Sequence, residues 1–205
     1  HDTIVAMIDT GIDYTHEDLK DTLWVNTDEI PGNGIDDDGN GYVDDVYGWN
    51  FYNNNNQIFT GEEDSHGTHG AGTISAGTGN GIGIAGIVPG NRVRVMALKA
   101  LGGTDGGGST AAVIKAIRYA EDNGAVICNL SLTSTVDDKA LYEAMKNSSM
   151  LFVVAAGNGN PKTGKGVDTD AIPFYPAAYD LDNIISVANV RIDGTLSASS
   201  NYGKK

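Results

Sequence analysis

Two histidines, His66 and His69, stand three residues apart in the stretch Asp64-Ser-His-Gly-Thr-His-Gly-Ala-Gly-Thr73. Imidazole is the side chain that most readily takes and gives a proton near neutral pH, so His66 is a candidate general base. A hydrogen-bonded structural histidine and one half of a metal pair are the competing readings. The glutamate that follows the first histidine in the H-E-x-x-H metal motif is absent here. Asp9 closes the apolar run Thr3-Ile-Val-Ala-Met-Ile-Asp9 and leads into Thr10-Gly11, which makes it either a site carboxylate or a turn aspartate. Asn158 follows Met150-Leu-Phe-Val-Val-Ala-Ala-Gly157. It is either a donor to a developing oxyanion or a left-handed turn residue. A D-T-G tripeptide also occurs in aspartic proteases, but those need two such aspartates in an all-β setting, and this chain has one among βα patterns.

A third kind of chemistry lies in Asp36-Asp-Asp-Gly-Asn-Gly-Tyr-Val-Asp-Asp45. Oxygen-bearing side chains at Asp36, Asp38 and Asn40, a glycine at Gly41 and a carbonyl from Tyr42 match the first half of an EF-hand loop, which points to calcium. The bidentate glutamate that such a loop needs is missing, its place being Tyr47, and Asp44 or Asp45 is the expected substitute in a shorter loop. A merely solvated acidic turn is the alternative.

The elements that must position these groups are legible from periodicity. Ser65 is expected to cap a helix carrying His66 in its first turn. Gly67, Gly70 and Gly72 in that helix weaken its propensity, so they imply backbone packed close to backbone. Apolar runs at 3–9, 93–98, 125–132, 150–156 and 183–189 read as strands. Helices are expected after Ser109, with an apolar face of Ala112, Val113, Ala116, Ile117 and Ala120, and over 137–146. Strands alternating with helices predict an α/β fold, a doubly wound parallel sheet flanked by helices, in which chemistry gathers at the C-terminal strand ends. Residues 26–56 read as a long polar excursion rather than core. The glycines of Gly77–Gly86 contain G-x-G-x-x-G at Gly81, Gly83 and Gly86, but they follow a helix instead of a strand, which removes the nucleotide reading.

At 205 residues, with net charge −14 and 28 glycines, the chain fits one glycine-rich α/β domain. The acidity excludes a phosphate-binding basic stripe, hence nucleic acid, and favours bound cations. A single cysteine, Cys128, rules out an internal disulfide framework, a stapling role that calcium could take over in a secreted protein. No window is long and apolar enough to span a membrane. His1 leads straight into a strand-like run, so the sequence reads as a mature or trimmed piece.

Ile8-Asp-Thr-Gly-Ile-Asp13, Ser65-His-Gly-Thr-His-Gly-Ala-Gly-Thr73 and Ala155-Ala-Gly-Asn158, in this order, resemble the subtilisin-like serine proteases, the subtilases. His16-Glu-Asp-Leu, Asn129-Leu-Ser-Leu and Phe174-Tyr-Pro-Ala-Ala extend the resemblance through nearly the whole chain. The resemblance implies a subtilisin-like sheet, incomplete at the C-terminus, and a serine endopeptidase with an Asp-His-Ser triad. Asp9 would orient His66, His66 would shuttle the proton, and Asn158 would hold the oxyanion. It also implies that an extended peptide adds as a strand between two edges. Those edges are Leu101 with Gly106–Gly108 and Ser131-Leu132-Thr133, with Ala156 and Gly157 at the pocket. Thr133 stands where subtilases commonly have glycine. A second calcium loop is implied over Thr78–Ile84, with Asn80 and Asp18 giving side-chain oxygens and Thr78, Ile82 and Ile84 giving carbonyls. The implied compartment is extracellular.

The family's G-T-S-M-A nucleophile motif does not occur in these residues. Ser109 is its nearest imitation and is better read as a helix cap. The expectation is therefore the N-terminal portion of a protease domain over 1–205, with a calcium-loop insertion at 26–56, inactive alone and partnered by a peptide substrate and the serine-bearing remainder. The alternative is a catalytically dead, peptide- or partner-binding module of the same fold.

Overall fold

Six consecutive residues with only small or apolar side chains, closed by a carboxylate, form the first strand, β1 (Thr3–Asp9), whose last five residues are buried. Burial on both faces favours such an unbroken apolar run over an alternating one. In this computed structural model the described residues are 2–89 and 92–204, and the chain divides into two units, His1–Cys128 and Asn129–Lys205.

In the first unit β1 runs parallel to β3 (Val93–Lys99), in a register from Thr3↔Val93 to Asp9↔Lys99. The other edge of β3 carries a short parallel strand, β2 (Gly48–Asn50). Two helices pack on β1 and β3: α1 (Ser65–Ser75) and α2 (Thr110–Asp122). The period-2 alternation sorts the strand residues between them. Val5, Met7, Val93, Val95 and Ala97 join Ala71 of α1 with Ile12, Leu19, Leu23 and Ile58 in one apolar cluster. Ala6, Ile8, Met96 and Leu98 are left to the other face, where α2 buries the predicted stripe Ala112, Val113, Ala116, Ile117 and Ala120. Ser109 caps α2 as expected, its hydroxyl accepting from the Ala112 amide at 3.1 Å. After α2, the Val126 amide donates to the Ile4 carbonyl at 3.1 Å and leads into β6 (Ile127–Leu130), which crosses the boundary between the units. A two-strand antiparallel ribbon, β4 (Leu101–Gly102) with β5 (Gly107–Gly108), follows β3.

In the second unit α3 (Lys139–Lys146) is capped by Asp138, whose carboxylate accepts from the amides of Ala140 and Leu141 at 2.8 and 3.2 Å. β7 (Leu151–Ala155) pairs in parallel with β8 (Ile184–Val187). The Asn183 amide group donates to the carbonyls of Met145 and Met150 at 2.9 and 3.2 Å, tying the end of α3 to the entry of β7.

Three expectations need correction. Ser65 does not cap α1: a 3-10 turn over Glu62–Asp64 runs directly into the helix, so Ser65 already has helical dihedrals and Asp64 stands at the cap position without bonding the helix amides. The 26–56 stretch is not all polar excursion, because Gly48–Asn50 is a buried sheet strand with Trp49 and Phe51 in the core. A Cβ at Gly48 would lie 1.9 Å from the Ala97 carbonyl oxygen, so only glycine lets this strand close on β3. Finally, the run 125–132 is strand only over Ile127–Leu130, with Val126 exposed.

Candidate functional site

Asp9 ends β1 with its side chain fully buried. Its Oδ1 accepts from the Thr10 amide at 2.6 Å and lies 2.7 Å from His66 Nδ1. The Asp9 side chain is 0% exposed and that of His66, the second residue of α1, is 60% exposed. One edge of the imidazole therefore meets a buried carboxylate while the rest of the ring faces solvent. An ionised carboxylate can only accept, so the proton belongs on Nδ1 and Nε2 keeps a free lone pair. That is the tautomer a general base needs.

The helix start and the strand end come this close because their sequences remove side chains at the crossing. A Cβ on Gly67 would lie 2.2 Å from the Gly11 carbonyl oxygen and 3.2 Å from Asp9 Oδ1. Gly11 in turn has φ 120°, and a Cβ there would lie 2.3 Å from the Ile58 carbonyl oxygen. The Gly67 amide donates to Thr10 Oγ1 at 3.1 Å, and the Asp13 amide to Thr68 Oγ1 at 3.0 Å. Close backbone packing thus holds at Gly67. At Gly70 the near atom is the Met7 methyl group, and Gly72 has open space to 3.7 Å.

Two residues of this neighbourhood escaped the sequence reading. Lys99, the last residue of β3, is buried, and its Nζ donates to the Thr10 carbonyl and to Asp64 Oδ1, both at 2.5 Å. Asp64 Oδ2 accepts from the amide and hydroxyl of Thr60 at 2.6 and 2.9 Å. The available signal was positional: Lys99 closes an apolar run as Asp9 does, and the two stand opposite each other in the β1–β3 register.

His69 lines a separate cavity of about 190 Å³ with His16, Asp18, Leu19 and Thr68. Among the described residues, the one group of three carboxylate, imidazole or thiol ligands close enough to share an ion is Glu29, Asp36 and Asp38. Glu29 was not among the ligands expected. It reaches across the loop, its Oε1 accepting from the Asp37 amide at 2.8 Å and its Oε2 from the Asp44 amide at 2.9 Å. Asn40 and Gly41 turn their amides onto Asp36 at 3.0 and 2.8 Å. The Asp44 carboxylate instead takes the amides of Gly32, Asn33 and Gly34. Asp45 is buried and takes Asn26, Asn40 and the Tyr119 hydroxyl. Burial and the hydrogen bond to Asp45 push the Tyr119 phenol well above its ordinary range, so it remains a donor. The ring of Tyr42 packs edge-on to Trp49 and Tyr119, with centroids 5.1 and 5.0 Å apart. This aromatic group fastens the acidic loop to α2. An all-oxygen donor set with a glycine turn suits a hard cation such as calcium.

In the Thr78–Ile84 loop, Asn80 donates to Asp18 Oδ1 at 2.7 Å and the Ile84 amide to Asp18 Oδ2 at 3.1 Å. The Asn80 side chain, then the Ile84 amide, hold the Asp18 carboxyl below the usual range. Asn80 Oδ1 accepts from the Ile82 amide at 3.1 Å. Thr78, Asn80, Asp18, Glu17 and Asp21 border a cavity of about 350 Å³.

Gly107–Gly108 pairs with Leu101–Gly102, and Gly106 has φ 63° at the turn between them. In the second unit, Ser131 Oγ accepts from Asn129 at 3.0 Å, Leu132 is half-buried and Thr133 exposed. Asn158 is exposed beyond β7, after buried Ala156 and Gly157. Asn201, buried and missed by the sequence reading, fixes that turn: its Nδ2 donates to the Ala156 carbonyl at 2.8 Å and its amide to the Gly157 carbonyl at 2.9 Å.

Residues 1–205 match the subtilase family over their whole length. The chain belongs to this family. The subtilase is 36% identical over 204 residues to the major intracellular serine protease of Bacillus subtilis (strain 168), covering 98% of this chain and 55% of that protein. It is 32% identical over 202 residues to thermitase of Thermoactinomyces vulgaris, covering 97% and 59%. Against subtilisin-like protease 1 of Plasmodium falciparum (isolate 3D7) it is 34% identical over 219 residues, covering 99% and 31%. The subtilase chain thus spans little more than half the length of the longest-covered of these relatives. Among solved structures it resembles the psychrophilic subtilisin-like protease Apa1 of Pseudoalteromonas sp. AS-11, with a TM-score of 0.69 at 27% identity, covering 98% of this chain and 39% of that one. A lanthipeptide protease gives a TM-score of 0.67 at 26% identity, covering 98% and 52%. The parallel α/β architecture expected from the sequence is the one these neighbours share. No helix among the described residues is long and apolar enough to cross a membrane.

Proposed function

We propose that this subtilase chain is the base-bearing portion of a single serine endopeptidase domain that cleaves extended peptides. One observation carries the reading: a solvent-facing imidazole, His66, bonded at 2.7 Å to a fully buried carboxylate, Asp9. In the reaction Asp9 holds the ring and its tautomer, and His66 Nε2 takes the proton of a serine hydroxyl as that oxygen attacks the scissile carbonyl. His66 then returns the proton to the leaving amine. Asn158 donates to the oxygen that becomes negative. The peptide adds along Gly106–Gly108 and Ser131–Thr133 by backbone pairing, with Leu101, Ala156 and Gly157 shaping the pocket. Ser109 is not the nucleophile in this reading, since its oxygen caps α2. The serine comes from residues beyond these 205, and the chain alone is inactive. Calcium, held at Glu29, Asp36 and Asp38 and in the Asp18–Asn80 loop, would add charge neutralisation to a chain of net charge −14. Secretion belongs to the same reading and rests on that acidity and on the acidic clusters proposed to hold calcium; one relative is named as intracellular.

The test is hydrolysis of a panel of unstructured peptides by a form that includes the nucleophilic serine, compared with its Asp9→Asn variant. The expected loss in kcat is about 10⁴-fold, through the wrong imidazole tautomer. A serine-bearing form that cleaves none of the peptides, or an Asp9→Asn variant as fast as the parent, overturns the proposal.

A further inference from the structure

We propose that the buried Lys99–Asp64 ion pair is a positioning device for the Asp9–His66 dyad, clamping the end of β1 to the start of α1. The inference rests on reading Asp9–His66 as the base half of the site. Lys99 and Asp64 are 1% and 0% exposed at the side chain and 2.5 Å apart. Removing two charges from water is expensive, and a well-packed apolar pair usually serves stability as well or better, so net stability is a weak reason for the pair. Direction is the better reason. Lys99 Nζ bonds the carbonyl of Thr10, the residue after Asp9, and the carboxylate of Asp64, two residues before His66.

The surrounding bonds turn that double contact into a closed frame. Thr10 is fixed at all its polar groups: its carbonyl by Lys99, its amide by Asp9 Oδ1, and its hydroxyl by the Gly67 amide. Asp64 is fixed at both oxygens, by Lys99 on one and by the Thr60 amide and hydroxyl on the other. Asp9 and Lys99 are cross-strand neighbours, so the clamp begins in the same ladder position that presents the carboxylate. The helix carrying His66 cannot drift from the strand carrying Asp9 without breaking one of these bonds. A dyad that must hold its geometry to about 0.5 Å needs such support around it. Neither Lys99 nor Asp64 has a contact with the His66 ring among the described hydrogen bonds, so both act through Thr10, Asp9 and the helix start.

The experiment uses NMR on the isotope-labelled chain and follows solvent exchange of the proton on His66 Nδ1. The variant is the paired swap Lys99→Met with Asp64→Leu, which removes both charges together. Amide exchange at Val5, Met7 and Val95 serves as the measure of intact fold. The expected result is Nδ1 proton exchange about tenfold faster, equivalent to about 1.4 kcal/mol, with the strand amides unchanged. Exchange within about twofold of the parent overturns the proposal. Should the swap not fold, Asp64→Asn alone preserves shape while weakening the grip on Lys99. Faster Nδ1 exchange in that variant supports the clamp, and unchanged exchange overturns it. None of these readouts requires hydrolysis. A serine-bearing form that cleaves no peptide would refute the proteolytic reading without touching this result, and an unmoved Nδ1 proton would refute the clamp alone.

Discussion

Gly67 and Gly72 lie in the same helix, and alanine at each should move stability in opposite directions. Helix propensity alone favours alanine by up to about 1 kcal/mol at either position. At Gly72 a Cβ would meet only Ile84 Cδ1 at 3.7 Å and Leu19 Cδ2 at 4.0 Å, which is ordinary contact. Gly72→Ala should therefore stabilise by about 0.5–1 kcal/mol. At Gly67 the new methyl would sit 2.2 Å from the Gly11 carbonyl oxygen. Reaching ordinary contact means opening the α1–β1 crossing by roughly 1.2 Å, against an overpacking cost of about 1–3 kcal/mol. The peptide that carries the Gly11 carbonyl is itself tied down, because the Ile12 amide donates to the Ile58 carbonyl at 3.2 Å. The net expectation for Gly67→Ala is a loss of about 1–2 kcal/mol, together with a His66–Asp9 separation beyond hydrogen-bond reach. Urea unfolding of the two variants and the parent measures this difference. A Gly67→Ala protein that gains stability as Gly72→Ala does would refute the claim that close backbone approach sets the dyad.

Asp18 gives a pH prediction. Its carboxyl is held low in the fold, chiefly by Asn80, so its stabilising contribution is present above the unfolded value of about 3.9 and lost as pH falls through the lower folded value. The stability gap between parent and Asp18→Asn should be steady from about pH 7 to 5 and close below about pH 4; a gap that persists down to about pH 2 contradicts it. Tyr119→Phe removes the 2.5 Å bond to the buried Asp45 carboxylate and should cost about 1.5–3 kcal/mol in urea unfolding, whereas a neutral result would mean Asn26 and Asn40 suffice. Calcium at about a hundred times its dissociation constant should stabilise the parent by about 2.7 kcal/mol. In Glu29→Gln that gain should shrink, and an equal gain in both removes Glu29 from the site.

The parts of the site legible in the sequence were those written in contiguous residues. Asp9 closes an apolar run, and a buried parallel strand carries the residue that closes it to the C-terminal edge of the sheet. Ser109 was legible because a helix cap needs only its own next three residues. Lys99 and Asp64 were not legible, because nothing local says that residues 35 apart form a buried pair. Glu29 was hidden for the same reason: it reaches Asp37 and Asp44 across a loop whose internal spacing suggested that the loop was self-sufficient. Asn201 supports the Gly157 turn from 45 residues beyond Ala156. The strand Gly48–Asn50 was masked by its polar flanks, and its glycine, ordinarily a strand-weakener, is required by the Ala97 carbonyl. Ser65 misled because a serine before a helical pattern is a good cap only where no tighter turn already feeds the helix.

The central claim is that His66, held by Asp9, is the proton shuttle of a peptide-cleaving site completed by a serine from outside these residues. Its most direct measurement mixes this chain with the separately produced serine-bearing remainder and follows cleavage of an unstructured peptide, using the parent chain and His66→Ala in parallel. The account predicts hydrolysis from the parent mixture, none from either piece alone, and a loss of at least about 10³-fold with His66→Ala. Equal hydrolysis with His66→Ala, or cleavage by the parent chain alone, would contradict it.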